Sequence, residues 1–147
     1  MEARVQTKTH IDDQLISALR ARGQRVTPQR LLLNRALREL DRHVSAEELQ
    51  AAVADRLPNV SAPTVYATLE LFEELGTLRR VPRPGADLWD PRVDDHHHLV
   101  CRSCGAVEDV EAGVDASAAF RAARRHRFSP DRAQLTISGL CRNCRRS

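Results

Sequence analysis

Four cysteines fall into two C-x-x-C pairs, Cys101 with Cys104 and Cys141 with Cys144. Zinc takes four thiolates in a tetrahedron, and each C-x-x-C presents two sulfurs from a single turn. Gly105 follows the first pair, where the turn can adopt positive φ. Structural disulfides are rare in a reducing compartment, so the paired motifs read as a closed, structural zinc site. A redox dithiol and free thiols are the alternatives. A second group comprises Asp90, Asp94, Asp95, His96, His97 and His98, with Asp109 downstream. On a strand, His96 and His98 project to one face and His97 to the other. Imidazole with carboxylate suits Fe(II), Mn(II), Zn(II) or Co(II). A metal-free polar strand edge, or an incidental surface trap for metal, is the alternative. The chain has no G-x-S-x-G, phosphate loop or H-E-x-x-H motif, and no cysteine outside the pairs to act as a nucleophile. These absences disfavour an enzyme, with a small metal-dependent hydrolase built on the His/Asp group as the competing class.

The elements that must position these residues differ between the two halves. Apolar residues at 11, 15, 16, 18 and 19 predict a helix over 11–22, ended by Gly23. Thr27 with Pro28 starts a second helix to about residue 40. Ser45 and Glu48 form a capping box for a third, to about residue 56. Ser61 and Pro63 start a fourth, stopped by Gly76. In this last helix Val65, Leu69, Phe72 and Leu75 share one face, leaving Thr64, Tyr66 and Ala67 off that stripe. Such a helix fits the recognition helix of a helix-turn-helix. Short strands at 77–81 and 86–90 around Pro82-Arg83-Pro84-Gly85 would form a wing; a plain helical bundle is the other reading. Further on, strands are predicted at 98–101 and 106–110, a helix over 114–126 and a strand over 132–140.

The 147 residues are 41% hydrophobic and 29% charged, within the range of globular domains. No apolar run is long enough to cross a bilayer, and the first fourteen residues are polar, so a cytoplasmic protein is expected. Aromatic residues are only 3%, which disfavours a single-strand binder built on base stacking. The net charge of +3 conceals a cluster in which seven arginines between Arg20 and Arg42 face two acids. That cluster reads either as a phosphate-binding footprint or as a solvated helix face.

Taken together these segments resemble the ferric uptake regulator family of bacterial metal-dependent transcription factors. The resemblance runs from about Leu19 to Cys144. It is carried by Gly23-Gln-Arg-Val-Thr-Pro-Gln-Arg30, His43-Val-Ser-Ala-Glu-Glu-Leu49, Thr64-Val-Tyr-Ala-Thr-Leu-Glu-Leu71, Glu74-Leu-Gly76, His96-His-His-Leu-Val-Cys-Arg-Ser-Cys-Gly105 and Gly139-Leu-Cys-Arg-Asn-Cys144. It implies an α+β fold, with an N-terminal winged helix-turn-helix DNA-binding domain (1–86) and a C-terminal α/β dimerisation and metal-binding domain (87–147). It implies one structural zinc per subunit on Cys101, Cys104, Cys141 and Cys144. It also implies one regulatory Fe(2+) or Mn(2+) per subunit on His43, Asp90, His96, His98 and Asp109. Arg25, Arg30, Thr64 and Tyr66 would contact double-stranded operator DNA, with Tyr66 over a thymine methyl.

The aspartates at 90 and 109, and the spacing from Asp90 to His96, resemble the peroxide-sensing branch. In that branch bound ferrous iron reacts with hydrogen peroxide and a ligand histidine is oxidised; His43 and His96 match the positions. The implied protein is a homodimeric, metal-activated repressor that senses peroxide, with iron- or manganese-responsive uptake regulation as the alternative. Two departures stand out. A further metal site of many relatives is replaced here by Ala116 and Ala133, which leaves His97 and His126 without an assigned role. Ala67 also stands where the family often carries Arg, removing a base or phosphate contact.

Overall fold

The computed structural model describes residues 2–146, with side chains from residue 10 onward; Met1 and Ser147, the outer limits of the two expected domains, lie outside the described residues. The chain divides into two compact units, residues 1–82 with 86–93, and residues 83–85 with 94–147. No helix among the described residues is long and apolar enough to cross a membrane.

The first unit holds α1 (Glu2–Ala21), α2 (Pro28–Leu40), α3 (Ala46–Ala52) and α4 (Ala62–Glu74), then β1 (Arg79–Val81) and β2 (Leu88–Asp90). The last two pair antiparallel, with Arg80 opposite Trp89, so four helices and a hairpin make a winged helix. Local chemistry sets the helix starts. Thr27 Oγ1 accepts from Arg30 N, and Ser61 Oγ from Thr64 N. Ser45 Oγ accepts from Glu48 N at 3.1 Å while the Glu48 carboxylate accepts from Ser45 N at 2.8 Å, a complete capping box. Helix α1 starts well before residue 11, because residues 2–10 are mostly good helix formers without an apolar stripe to announce them. Helix α3 stops at Ala52 rather than near 56. There the Val53 carbonyl accepts from both Arg56 N and Leu57 N, and Pro58 disfavours a helical Leu57. The core joins Leu15 and Leu19 of α1, Leu33 and Leu37 of α2, Leu49 of α3, and Val65, Leu69 and Phe72 of α4, closed by Trp89.

The second unit is a three-stranded sheet in the order β4-β3-β5, made of β3 (His97–Cys101), β4 (Val107–Val110) and β5 (Thr136–Gly139). Strand β4 runs antiparallel to β3 and β5 parallel to it, with α5 (Ser117–Arg125) in the connection. Helix α5 starts at Ser117, where the Asp115 carboxylate accepts its N–H. Strand β5 begins later than residue 132 because the Leu135 N–H is given to the His97 ring instead of to the ladder.

Ser45→Ala removes one half of the capping box and should cost about 1 kcal/mol, read as a shift in urea unfolding followed through the single tryptophan. The Ser45 backbone N–H holds the Glu48 carboxyl below its ordinary value. Its contribution is therefore present above the ordinary carboxylate range and lost as pH falls through the depressed value. The stability gap between the wild type and Glu48→Gln should narrow on going from about pH 7 to about pH 3.

Candidate metal centres

The zinc motif is assembled by the β3–β5 register, which sets Cys101 opposite Gly139. Two residues on, Cys141 N donates to Cys101 Sγ at 3.4 Å. The turn after β3 is closed by Gly105 N to Cys101 O and Cys101 N to Ala106 O, both 2.9 Å. Gly105 has φ +74°, and a Cβ there would stand 2.9 Å from Arg83 Nη1, which donates to the Gly105 carbonyl. All four cysteines are free thiols, with their sulfurs within 4.8 Å of one another and Cys104 Sγ 3.8 Å from Cys141 Sγ. Two sulfurs held at ~2.3 Å by one tetrahedral zinc stand roughly 3.8 Å apart, so the spacing fits that ion. Cys101 is lowered to about 6, first by the backbone N–H of Cys104 and then by that of Cys141. Cys144 is pushed up to about 12: a hydrogen bond with Ser103 favours its thiolate, but the sulfurs of Cys141, Cys104 and Cys101 prevail. Only a cation among the four sulfurs would let all of them stand as thiolates in this space.

The His/Asp residues of the second unit are also brought together. Pairing of β3 with β4 puts Asp109 opposite His98, and both His96 and His98 are buried. His96 Nε2 lies 3.1 Å from His98 Nε2, and Asp109 Oδ1 lies 3.5 and 3.4 Å from the two nitrogens. Donors ~2.0–2.2 Å from one ion stand roughly 2.9–3.6 Å apart, so this triangle has the dimensions of one face of a coordination shell. The third histidine does not join it. His97 points to the opposite side, where its Nδ1 accepts from Leu135 N at 3.1 Å. His126 caps the end of α5 through its backbone N–H.

The first unit holds the other two expected ligands. Val44 and Trp89 form a β-bridge with N–H···O distances of 3.0 and 2.8 Å, which sets their neighbours His43 and Asp90 side by side. His43 Nε2 is 3.2 Å from Asp90 Oδ2, and the other Asp90 oxygen accepts from Arg92 N.

The expected DNA contacts separate in space. Arg25, Arg30 and Thr64 line one open groove between α2 and α4, together with Gln24, Gln29 and Ala67. Tyr66 is not among the lining residues; its hydroxyl donates to Glu47 Oε1 of α3 at 3.3 Å. The arginine cluster is likewise divided. Arg35 pairs with Asp12, and Arg38 donates to the Pro91 and Thr77 carbonyls at 2.6 Å each. Sequence reasoning did not single out Arg38, nor Gln134, whose amide nitrogen is 3.0 Å from His98 Nδ1. No local pattern marks either, because their partners lie 53 and 36 residues away.

The chain also matches known proteins in sequence and in fold. The ferric uptake regulator family model matches residues 21–138. The chain is 28% identical to the peroxide-responsive repressor PerR of Staphylococcus saprophyticus, over 98% of each chain. It is 38% identical to ferric uptake regulation protein 1 of Mycolicibacterium fortuitum, over 80% of this chain and 73% of the relative. Among solved structures, the ferric uptake regulator from Pseudomonas aeruginosa with manganese superposes with a TM-score of 0.64 at 27% identity, covering 86% and 96% of the two chains. Matched in sequence over most of its length and in fold, the chain belongs to the ferric uptake regulator family, whose members are metal-responsive transcriptional regulators and not enzymes.

Proposed function

We propose that this protein is a cytoplasmic, homodimeric repressor that binds double-stranded operator DNA when its regulatory metal is loaded and releases it on exposure to peroxide. The observation that carries the reading is the donor spacing: two sets of side chains, one of sulfur and one of nitrogen and oxygen, each with separations that suit ligands of a single ion. Cys101, Cys104, Cys141 and Cys144 would hold zinc, with no open position for chemistry. His43, Asp90, His96, His98 and Asp109 would share one Fe(2+) or Mn(2+), a donor set suited to either ion. These ligands come from both units, so loading would restrain the units' mutual orientation and bias the chain toward its DNA-binding arrangement. The manganese in the Pseudomonas aeruginosa relative and the peroxide response of the Staphylococcus saprophyticus relative support this assignment.

The second unit also supports pairing with another copy. Val100 and Cys101 are its only buried hydrophobic residues among those described, while Leu99, Val114, Phe128, Leu135, Ile137 and Leu140 are exposed. A second copy laid on this surface would supply the missing burial. In the first unit, Arg25 and Arg30 beside Thr64 offer phosphate contacts next to the start of α4, with the base-reading residues carried by that helix.

Cys101→Ser or Cys144→Ser should lose about one zinc per subunit and weaken the dimer, measured by elemental analysis and sedimentation; a metal-free wild type that stays folded and dimeric would refute the zinc assignment. His96→Ala and Asp109→Ala should abolish Mn(II)-dependent operator binding in a gel shift while the zinc content stays unchanged. Normal DNA binding by both variants in chelator would overturn the two-site reading. Dilute peroxide should release the iron-loaded protein from DNA and add one oxygen atom to His43 or His96, detected by peptide mass spectrometry. Intact histidines with DNA binding retained would assign the chain to plain iron or manganese response.

A further inference from the structure

We propose that Arg38 is a positioning residue that joins Asp90 to the end of α4, so that a metal held by Asp90 is felt at the helix presented to DNA. This inference rests on the reading of Asp90 as a metal ligand and of α4 as the DNA-facing helix.

The Arg38 side chain leaves α2 and divides its two outer nitrogens between two elements. Nη2 donates to the Thr77 carbonyl and Nη1 to the Pro91 carbonyl, each at 2.6 Å. Both carbonyls belong to well-held chain. Thr77 closes α4: its N–H and its hydroxyl both donate to the Phe72 carbonyl, at 3.0 and 3.1 Å, and Phe72 is wholly buried. Pro91 directly follows Asp90, whose carboxylate accepts from Arg92 N at 2.8 Å and so closes a turn around the proline. Proline fixes its own φ and confines the residue before it to extended backbone. Little torsional freedom therefore separates the Asp90 carboxylate from the carbonyl that Arg38 holds.

Strand β2 ends at Asp90, and from there arginines take the place of a ladder. Arg79, opposite Asp90 in the β1–β2 register, is buried and donates to the Val93 carbonyl. Residues 91–93 are thus gripped at both ends from within the first unit. A neutral donor would satisfy a carbonyl without the cost of withdrawing a charge from water. What the guanidinium adds is geometry: its N–H groups form a rigid planar fork, so two carbonyls bonded to it do not shift independently. A displacement of Asp90 on meeting a metal would otherwise be absorbed in the chain after β2. With the fork in place it reaches Thr77 and, through it, the last turn of α4.

The test uses the full chain, with the regulatory metal removed by mild chelation. Without metal or DNA, amide hydrogen exchange reads the fork directly. Arg38→Met keeps the aliphatic stem and removes the donors. It should speed exchange of the Thr77 and Arg92 amides together, while the Val44 and Trp89 amides, each bonded to the other's carbonyl, stay protected. Coupling is the ratio of dissociation constants in chelator and in saturating Mn(II), for a labelled duplex selected from random sequence by the Mn(II)-loaded wild type. Arg38→Met should lower that ratio by roughly 2–30-fold and leave the affinity in chelator unchanged. Arg38→Lys keeps the charge without the planar fork; it should fold as the wild type and also lower the ratio, and it decides the matter if the methionine variant does not fold. A wild-type ratio in the folded variants overturns the proposal, as do Thr77 and Arg92 amides that stay protected. So does an equal loss of duplex affinity with and without Mn(II), which marks Arg38 as a structural contact only. Failure of the underlying reading takes the proposal with it but looks different: Asp90→Ala then keeps Mn(II) binding and the duplex response, although exchange at Thr77 and Arg92 still depends on Arg38.

Discussion

The parallel pairing of β3 with β5 is the contact on which the second unit depends. It aligns His98 with Thr136 and Cys101 with Gly139, and so brings residues 134–144 along both groups of candidate ligands at once. At one end of β3 it delivers Cys141 and Cys144 to the sulfurs of Cys101 and Cys104. At the other it delivers Gln134 and Leu135 to the rings of His98 and His97. A slip of one residue in this register would turn every side chain of β5 to the other face and separate both sets of partners. A single strand pairing therefore ties the sulfur group to the His/Asp group, although the two differ in chemistry.

That dependence follows from how little apolar material the second unit buries. The first unit has a conventional core in which leucines from three helices meet Val65, Leu69 and Phe72 of the fourth, with Trp89 closing it. The second has Val100 and Cys101 inside, together with two buried histidines. A unit of this size cannot bury enough surface to hold itself by hydrophobic contact alone. A metal tying four thiolates, and a second chain over the exposed Leu99, Ile137 and Leu140, are physical remedies for the deficit. The same features would serve assembly and folding together.

Charge is distributed by a similar economy. The arginine cluster that looks uniform in sequence serves several purposes. Arg35 pairs with Asp12, and Arg38 reaches two backbone carbonyls from α2. Burial lowers the Arg38 pKa, yet the guanidinium is held by the carbonyls it bridges. Arg25 and Arg30 lie along the groove beside Thr64, with the Arg30 guanidinium donating to the Arg25 carbonyl at 2.6 Å.

Much of this was legible in the sequence, and for a common reason. Helix starts at Thr27, Ser45 and Ser61 are short-range events between residues three apart, so residue type and spacing suffice to predict them. The four thiols and the alternation of His96 and His98 announce their chemistry by identity alone. Where sequence spacing misled or was silent, the deciding partner was distant. The delayed start of β5, the turn of Tyr66 toward Glu47 and the tie from Gln134 to His98 depend on groups that only folding brings near. The sequence by itself determined which atoms are able to bind metal and where the helices of the first unit begin. The tertiary structure alone decided which nitrogens of His97 and His98 meet residues 135 and 134, because that is set by non-local strand register and by hydrogen bonds across 36 or more residues.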